Sequence, residues 1–386
     1  MTTERAYWVA WAKAKGVGSV LLKRLHSHFG SLAAAWQAEE SALLEVEGVG
    51  LLLASQLADY RQQVNPDDVL NHYEDQGANF WTPADADYPA LLYEITDPPP
   101  LLYYKGRTEL AQAVQTMPSV AIVGTRDPSD YGQRWTRRLV QQLVSHDVIV
   151  VSGLASGIDR HAHGQALDSQ GLTIAVLGTG VDRSYPWNNR ALQDRIAQEG
   201  LLLSEHPNDT PPDRTHFPRR NRIIAGLSRA TVVTEAPLRS GALITARLAN
   251  DYGREVYALP GSLDNPASLG CLDLIRQGAQ MIWDDTTLIR DLGHIPQLDA
   301  PPSSSTPTAV TSSPASPLPV PTSAPANLSP ELAAVLAIVT TDPISLDALV
   351  QSLNRPTGDI LSSLLHLELE GLVTQTPPGS HRYQRC

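Results

Sequence analysis

Cysteine is nearly absent: Cys271 and Cys386 are the chain's two, and they form no CxxC pair. A disulfide framework and a zinc ribbon are excluded by that count, and a reducing compartment fits it. Lysine is missing from residue 119 onward, and neither GxxxxGKS nor GxxxxGKT occurs anywhere, so P-loop ATP chemistry is excluded. No apolar stretch approaches the roughly 20 residues of a membrane helix, and no basic patch with a long apolar run opens the chain. A cytoplasmic protein is expected, with no membrane contact. Positive charge is also in deficit, the formal net charge being −12. Wholesale coating of nucleic acid is thereby excluded, and any nucleic-acid site must be a local basic patch in an acidic molecule.

What is present is organised around Ile149–His163, IVVSGLASGIDRHAH. Val148 to Val151 are β-branched, a small-residue turn follows, and Ile158 and Asp159 open a helical pattern: a buried strand, a tight turn and a helix N-terminus. Such a turn aims unpaired N–H groups where the helix dipole is positive, which suits a phosphate. A plain strand-to-helix turn that needs glycine gives the same pattern. Strand-like runs recur at Ser119–Val123, Leu172–Leu177, Leu201–Leu203, Thr231–Thr234, Glu255–Ala258 and Met281–Trp283, with helix-like patterns in most gaps. That alternation implies an α/β core with a mainly parallel, helix-covered, Rossmann-like sheet, whose ligands sit at the carboxyl ends of its strands. The residues there are small and polar: Gly124-Thr125-Arg126, Ser152-Gly153, Gly178-Thr179-Gly180, Ser204-Glu205, Glu235-Ala236 and Pro260-Gly261.

Residues 1–75 read as a small helical domain of helix-hairpin-helix or SAM-like type. Two Gly-Val-Gly pieces, at Gly16 and Gly48, each precede apolar residues at helical spacing. Lys13, Lys15, Lys23 and Arg24 make the first hairpin the better phosphate candidate, because Glu45 and Glu47 flank the second. Between residues 76 and 118 prolines leave room for short strands only, Leu101–Tyr104 among them. The most basic stretch is Asp213–Arg222, DRTHFPRRNR, with four arginines, one carboxylate and Phe217 between the arginines. That composition holds backbone phosphates and stacks a base; an internal ion-pair network is the competing reading, and Arg222, just before the helix-like Ile223–Leu227, is the arginine it fits best.

Enzyme readings fare poorly. Gly178-Thr-Gly180-Val-Asp-Arg183 begins a dinucleotide fingerprint but has arginine in place of the third glycine, and Tyr185-Pro186 interrupts a helix there. Ser156 in Gly153-Leu-Ala-Ser-Gly157 misses nucleophile-elbow spacing by one residue. In Asp159-Arg-His161-Ala-His163 the two histidines lie about 200° apart on a helix, so Asp159 reads as a cap and His163 as a partner or core residue. No catalytic residue, cofactor or metal is expected.

Six segments then carry a specific resemblance: VAIVGTR (Val120–Arg126), VVSGLASGID (Val150–Asp159), TIAVLGTGVDRSYP (Thr173–Pro186), FPRRNRIIAGLS (Phe217–Ser228), EAPLRSGALITA (Glu235–Ala246) and LPGSLDNPASLGCLDLIRQGA (Leu259–Ala279). Together they resemble the DprA (Smf) family of DNA-processing proteins over about residues 80–290. The resemblance implies a Rossmann-like core that binds and protects single-stranded DNA, forms a homodimer and helps load the RecA recombinase during natural transformation, without turnover chemistry. In similar proteins the GTR-type arginine and the basic-aromatic segment touch DNA, which here selects Arg126, Arg214 and Phe217. The wider set of candidate contacts is Gly124, Thr125, Ser152, Gly153, Ala155, Ser156, Gly157, Arg219, Arg220, Asn221, Arg222, Ser240 and Gly241. The rival is a nucleotide-processing hydrolase of the related phosphoribohydrolase type. Those carry PGGxGTxxE, whereas here Glu235 lies upstream of Ser240-Gly241.

The core is expected over residues 76–295. Residues 296–327 are mostly Pro, Ser, Thr and Ala, a linker. Over residues 328–386, helical patterns at Ser329–Val339, Ser345–Leu353 and Thr357–Glu370 precede a hairpin at Leu372–Tyr383, a winged helix-turn-helix. Asp359, Glu368 and Glu370 on or beside its third helix make a protein contact as fitting as duplex recognition.

Overall fold

The computed structural model of the chain describes residues 2–77, 79–293, 330–339, 344–353, 355, 357–369, 372–375 and 382–385. The chain divides into two compact units, residues 1–303 and 304–386.

In the first unit the expected strands form at β3 (Ser119–Val123), β4 (Ile149–Ser152), β5 (Thr173–Leu177), β6 (Leu201–Ser204), β7 (Ala230–Val233) and β8 (Glu255–Ala258), preceded by β1 (Phe80–Trp81) and β2 (Leu102–Gly106), while the run expected at Met281–Trp283 shares only Met281 with the last strand, β9 (Gln280–Met281). They make one sheet in the order β1-β2-β6-β5-β4-β3-β7-β8-β9. From β6 to β9 every neighbouring pair is parallel, and β2 and β1 add antiparallel at one edge. Strands β3 to β7 are buried along their whole length, as strands covered by helices on both faces must be. The Asp130–Ser145 and Ile158–Asp168 helices close one face around Leu139, Val140, Ile158 and Ala162. On the other, the His216–Gly226 and Gly241–Asp251 helices bury Ile223, Ile224, Leu243 and Ala246. His163 is a core residue: its Nδ1 lies 2.7 Å from Thr173 Oγ1, and burial pushes the imidazole down to about 3.

The N-terminal helices do not stand apart from this sheet. Trp8, Trp11, Leu22, Leu25 and Leu32 build their own core, while Ala6, Val9, Leu70 and Tyr73 pack with Phe80, Leu101 and Leu177. Three of the first hairpin's four cations are engaged within the protein, and Lys15 is left exposed as its remaining phosphate candidate. Lys23 Nζ donates to the carbonyls of Tyr93, Glu94 and Ile95 at 2.9, 3.0 and 2.7 Å, capping the Ala90–Tyr93 helix, and burial lowers its pKa. Arg24 donates to the Glu47 carbonyl and pairs with its carboxylate at 3.2 Å, and Lys13 sits 4.9 Å from the Tyr73 ring centroid.

In the second unit the helices Pro330–Ile338, Leu346–Leu353 and Thr357–Leu369 pack around Val335, Leu349, Ile360, Leu364 and Leu367. The wing strands β11 (Val373–Gln375) and β12 (Arg382–Arg385) pair antiparallel as expected, and a short β10 (Ile344–Ser345), not anticipated, joins β12 from the other side. Asp359 is exposed on the third helix. The linker at 296–327, Glu370 and the turn at 377–379 lie outside the described residues.

Candidate nucleic-acid interface

The chain winds outward from β3 through β4, β5 and β6, then returns to place β7 on the other side of β3. The helix after β3 covers one face and the helix after β7 the other, so the loops beyond these two strands diverge. A crevice therefore opens at their carboxyl ends, where open α/β sheets bind ligands. Here it is a groove of about 600 Å³. Its walls are the Gly124–Arg126 turn after β3, Ala155 after β4, the start of the His216–Gly226 helix, and Pro237–Ala242 after β7.

The loops are held tightly. Beyond β4, Asp159 is buried and its carboxylate accepts from the Gly153 and Ala155 N–H groups at 3.2 and 3.3 Å. It lies in the first helical turn, while Gly157 occupies the cap position, which corrects the expected Asp159 cap. Asn189 Nδ2 donates to the carbonyls of Leu154 and Ala155 at 2.9 and 3.1 Å. These clamps, with full burial of its side chain, hold Leu154 at φ 54°, a left-handed conformation that a leucine adopts only under such constraint. Gly157 has φ 77°, and a Cβ there would collide with the carbonyl oxygen of Thr125. The β3 turn is fixed from both sides: Thr125 N–H donates to the Glu235 carbonyl at 2.7 Å, and the Thr125 carbonyl accepts from Ile158 N–H at 3.1 Å. The Glu235 carboxylate in turn accepts from Ser129 N, Ser129 Oγ and Asn265 Nδ2 at 2.8, 2.7 and 2.9 Å. Both carboxylates beside the groove thus tie loops together.

The basic stretch is not a loop ahead of a helix. The helix begins at His216, so it takes in Phe217 and everything after it, and helical rotation divides the arginines between two surfaces. Phe217, Arg220 and Asn221 turn toward the groove, with Arg214 just ahead of the helix. Arg219 and Arg222 turn the other way, onto Glu205: Arg219 Nε lies 3.4 Å from it, and buried Arg222 pairs with both Glu205 and Asp97 at 3.0 and 2.9 Å. The ion-pair reading therefore holds for these two, and neither lines the groove. Ser152 and Ser156 also fall outside it, Ser152 being fully buried with its hydroxyl donating to the Ile122 carbonyl at 2.6 Å. Gly153 is buried under Arg220, whose guanidinium would clash with any Cβ there. Gly157 supports the wall without lining it, while Gly124, Thr125, Arg126, Ala155, Ser240 and Gly241 do line it.

Among the groove residues that escaped the sequence reading, Arg239 and Tyr185 bring a charge and a ring. Arg239 lies in the Glu235–Ala246 segment, just before the helix that Ser240 caps by accepting from Ala242 N–H at 3.2 Å. Tyr185 read as a helix breaker, yet its ring stands 5.2 Å from that of Phe217. Phe217 is half-buried against Gly178, where a Cβ would come within 2.9 Å of its ring, and Arg126 lies 5.8 Å from the ring centroid. Arg126, Arg214, Arg220 and Arg239 face the groove against the single carboxylate of Asp159. The exposed three, Arg126, Arg214 and Arg239, make no ion pair among the described residues. Unpaired guanidiniums beside an accessible aromatic ring suit a polyanion that carries flat bases.

Comparison with known proteins identifies the family. Residues 79–293 match the family described as DNA recombination-mediator protein A, and residues 319–379 match the DprA winged helix domain. Protein Smf of Synechocystis sp. is 46% identical over 399 residues, covering 99% of both chains. DNA processing protein DprA of Bacillus subtilis is 42% identical over 224 residues, 58% of this chain and 74% of its own. The X-ray structure of DNA processing protein A from Streptococcus pneumoniae superposes with a TM-score of 0.63 at 34% identity, covering 75% of this chain and 98% of that one. The Helicobacter pylori protein of the same name, whose structure addresses its single-stranded DNA binding mode, gives a TM-score of 0.50 at 34% identity, covering 56% and 95%. With a matching core, a matching winged helix and a relative similar from end to end, this chain belongs to the DprA/Smf family of DNA recombination mediators.

Proposed function

We propose that this protein binds single-stranded DNA in the groove at the β3/β7 crevice and acts as a non-enzymatic recombination mediator. In this reading it protects incoming DNA and loads the RecA recombinase during natural transformation, working as a homodimer in the cytoplasm. The observation that carries the DNA reading is the set of unpaired arginines around Phe217 and Tyr185. Arg126, Arg214 and Arg239 meet phosphates, the N–H groups of Thr125, Gly153 and Ala155 being held within the protein, and the two rings offer faces to bases whatever the sequence. The single-stranded DNA binding of the Helicobacter pylori relative and the family match support the role, and the RecA and dimer contacts are carried over from the resemblance alone. Among the described residues no helix is long and apolar enough to cross a membrane.

A hydrolase reading has less behind it. Glu235, the carboxylate it would use, is buried and accepts three hydrogen bonds from Ser129 and Asn265. The test is binding of the purified protein to labelled oligo(dT) across a salt series, beside an assay for AMP hydrolysis. Tight, salt-sensitive binding without hydrolysis is expected, and hydrolysis without binding would overturn the reading.

Phe217→Ala should lower oligo(dT) affinity by the roughly 1–3 kcal/mol that a stacked base contributes. Because the ring is only half-buried, the thermal midpoint should fall little; Phe217→Trp should keep binding and show fluorescence quenched by DNA. A large drop in midpoint, with affinity tracking the folded fraction, would make Phe217 a packing residue only.

We assign the domains as residues 1–75, 76–295 and 328–386, with 296–327 as the linker. A chain ending near residue 295 should then fold and still bind single strands, since every groove residue precedes that point. Normal circular dichroism with binding abolished would instead place part of the DNA site in the winged helix.

A further inference from the structure

The groove's wall continues into a second surface that the groove itself does not use. Tyr185, on the wall, is followed by the short Trp187–Asn189 turn. Asn189 is buried and bonded to the carbonyls of Leu154 and Ala155, so the turn is fastened directly to the groove's edge. Yet the Trp187 side chain beside it is left 67% exposed, with the Arg190 guanidinium 4.8 Å from its ring centroid. An exposed indole on a rigid turn loses little conformational entropy when a flat partner stacks on it.

Past this turn runs a trough of about 410 Å³ between the Ile158–Asp168 and Arg190–Glu199 helices. Its floor includes Gly164, where a Cβ would meet nothing within 4 Å, and Ala191, so backbone-sized space is open along it. Arg137, Arg160, His161 and Arg195 line it. Arg195 is paired with Asp168 at 2.9 Å, but Arg137 and Arg160 have no carboxylate partner among the described residues. Arg137 Nη2 instead lies 3.1 Å from His161 Nδ1. Burial, Arg137 and Arg160 together lower the His161 pKa, so the imidazole stays neutral and accepts from Arg137. Arg160 lies in the first turn of the helix whose cap residue, Gly157, packs against the backbone of Arg126, so one short stretch of chain joins the groove's wall to the head of the trough. In a chain of net charge −12, these unpaired cations are complementary to a polyanion and to little else.

We propose that a DNA strand held in the groove leaves it over Trp187 and continues along this trough, with Trp187 stacking a base and Arg160, Arg137 and Arg190 meeting phosphates. The inference rests on the groove binding single-stranded DNA, and it assigns the strand a direction of exit and a second contact region.

The experiment compares the full-length protein with Trp187→Ala, Trp187→Phe and the double variant Arg137→Ala/Arg160→Ala on two probes. One is oligo(dT) of about 6 nucleotides, enough for the groove, and the other of about 20, enough for both surfaces. Trp187→Ala and the double variant should each lose about tenfold affinity on the long probe and keep wild-type affinity on the short one, while Trp187→Phe should retain binding to both. The salt slope of the double variant on the long probe should shrink by about 1.4, from two lost phosphate contacts. Unchanged long-probe affinity would overturn the exit path while short-probe binding leaves the groove reading standing. Equal losses on both probes would overturn it too, by making Trp187 part of the groove. So would loss of a dimer on sedimentation of Trp187→Ala, which would make the indole a protein contact. Failure of the wild-type protein to bind either probe would defeat the proposed function, and the path with it.

Discussion

Replacing Arg126, Arg214 and Arg239 together with alanine should lower oligo(dT) affinity by about 100-fold or more near 0.1 M salt, with little change in stability. All three are exposed on the groove's rim, and none makes an ion pair among the described residues. Nothing inside the protein therefore loses a partner when they go, apart from the weak contact of Arg126 with the Phe217 ring. On the DNA side each guanidinium displaces about 0.7 of a counterion from a single strand, so the slope of log affinity against log salt should flatten by about 2. The loss should be similar for oligonucleotides of any sequence, because phosphates carry no sequence information. Arg219→Ala is the internal control. It removes an arginine from the same basic stretch, but one that points to Glu205 and not to the groove, and its effect should be small. A triple variant with an unchanged salt slope would remove these side chains from the phosphate path.

Much of this geometry is legible in the sequence. The sheet can be read because Ser119–Val123, Ile149–Ser152 and Thr173–Leu177 are short apolar runs bounded by small or polar residues, and their burial on both faces leaves one arrangement of chain. The groove can be read in outline because parallel strands bring their carboxyl ends to one rim. What stays hidden depends on partners far away in sequence. Arg219, Arg220 and Arg222 look alike in a row, but the helix rotates them apart, and Asp97 and Glu205 then claim two of them. Lys23 has the look of a phosphate ligand, but the carbonyls of Tyr93, Glu94 and Ile95, some 70 residues on, hold it. Tyr185 is brought beside Phe217 only by the folding of the loop after β5 over the start of the next-but-one helix.

Arg220→Met should have the largest effect on stability, about 3–5 kcal/mol at pH 7. Arg220 is 4% exposed, its Nη1 donates to the Val176 carbonyl at 2.6 Å, and its guanidinium lies over Gly153. Burial pushes its pKa down to about 10, which leaves it charged at pH 7 beside the buried Asp159. Asp159 is in the converse position: burial raises its pKa, while Arg220 and the N–H groups of Ala155 and Gly153 pull it back. Methionine fills similar space without the charge, so the variant strands a carboxylate in the core at the point where it clamps the loop beyond β4. The pH dependence follows from the direction of the Asp159 shift. A carboxyl whose folded pKa exceeds its unfolded value binds more protons in the folded state, so stability falls as pH rises through the interval between the two. Without Arg220 the folded pKa climbs further and the interval widens. The destabilisation measured by urea unfolding should therefore be smaller at pH 5 than at pH 7, where Asp159 must either ionise unpaired or hold a proton against the solution. Adding Asp159→Asn should recover a large part of the loss, because the amide needs no counter-charge, whereas two independent sites would give the sum of their separate effects. Additive losses that do not vary between pH 5 and pH 7 would show that Arg220 acts through packing alone, with no electrostatic role beneath the groove.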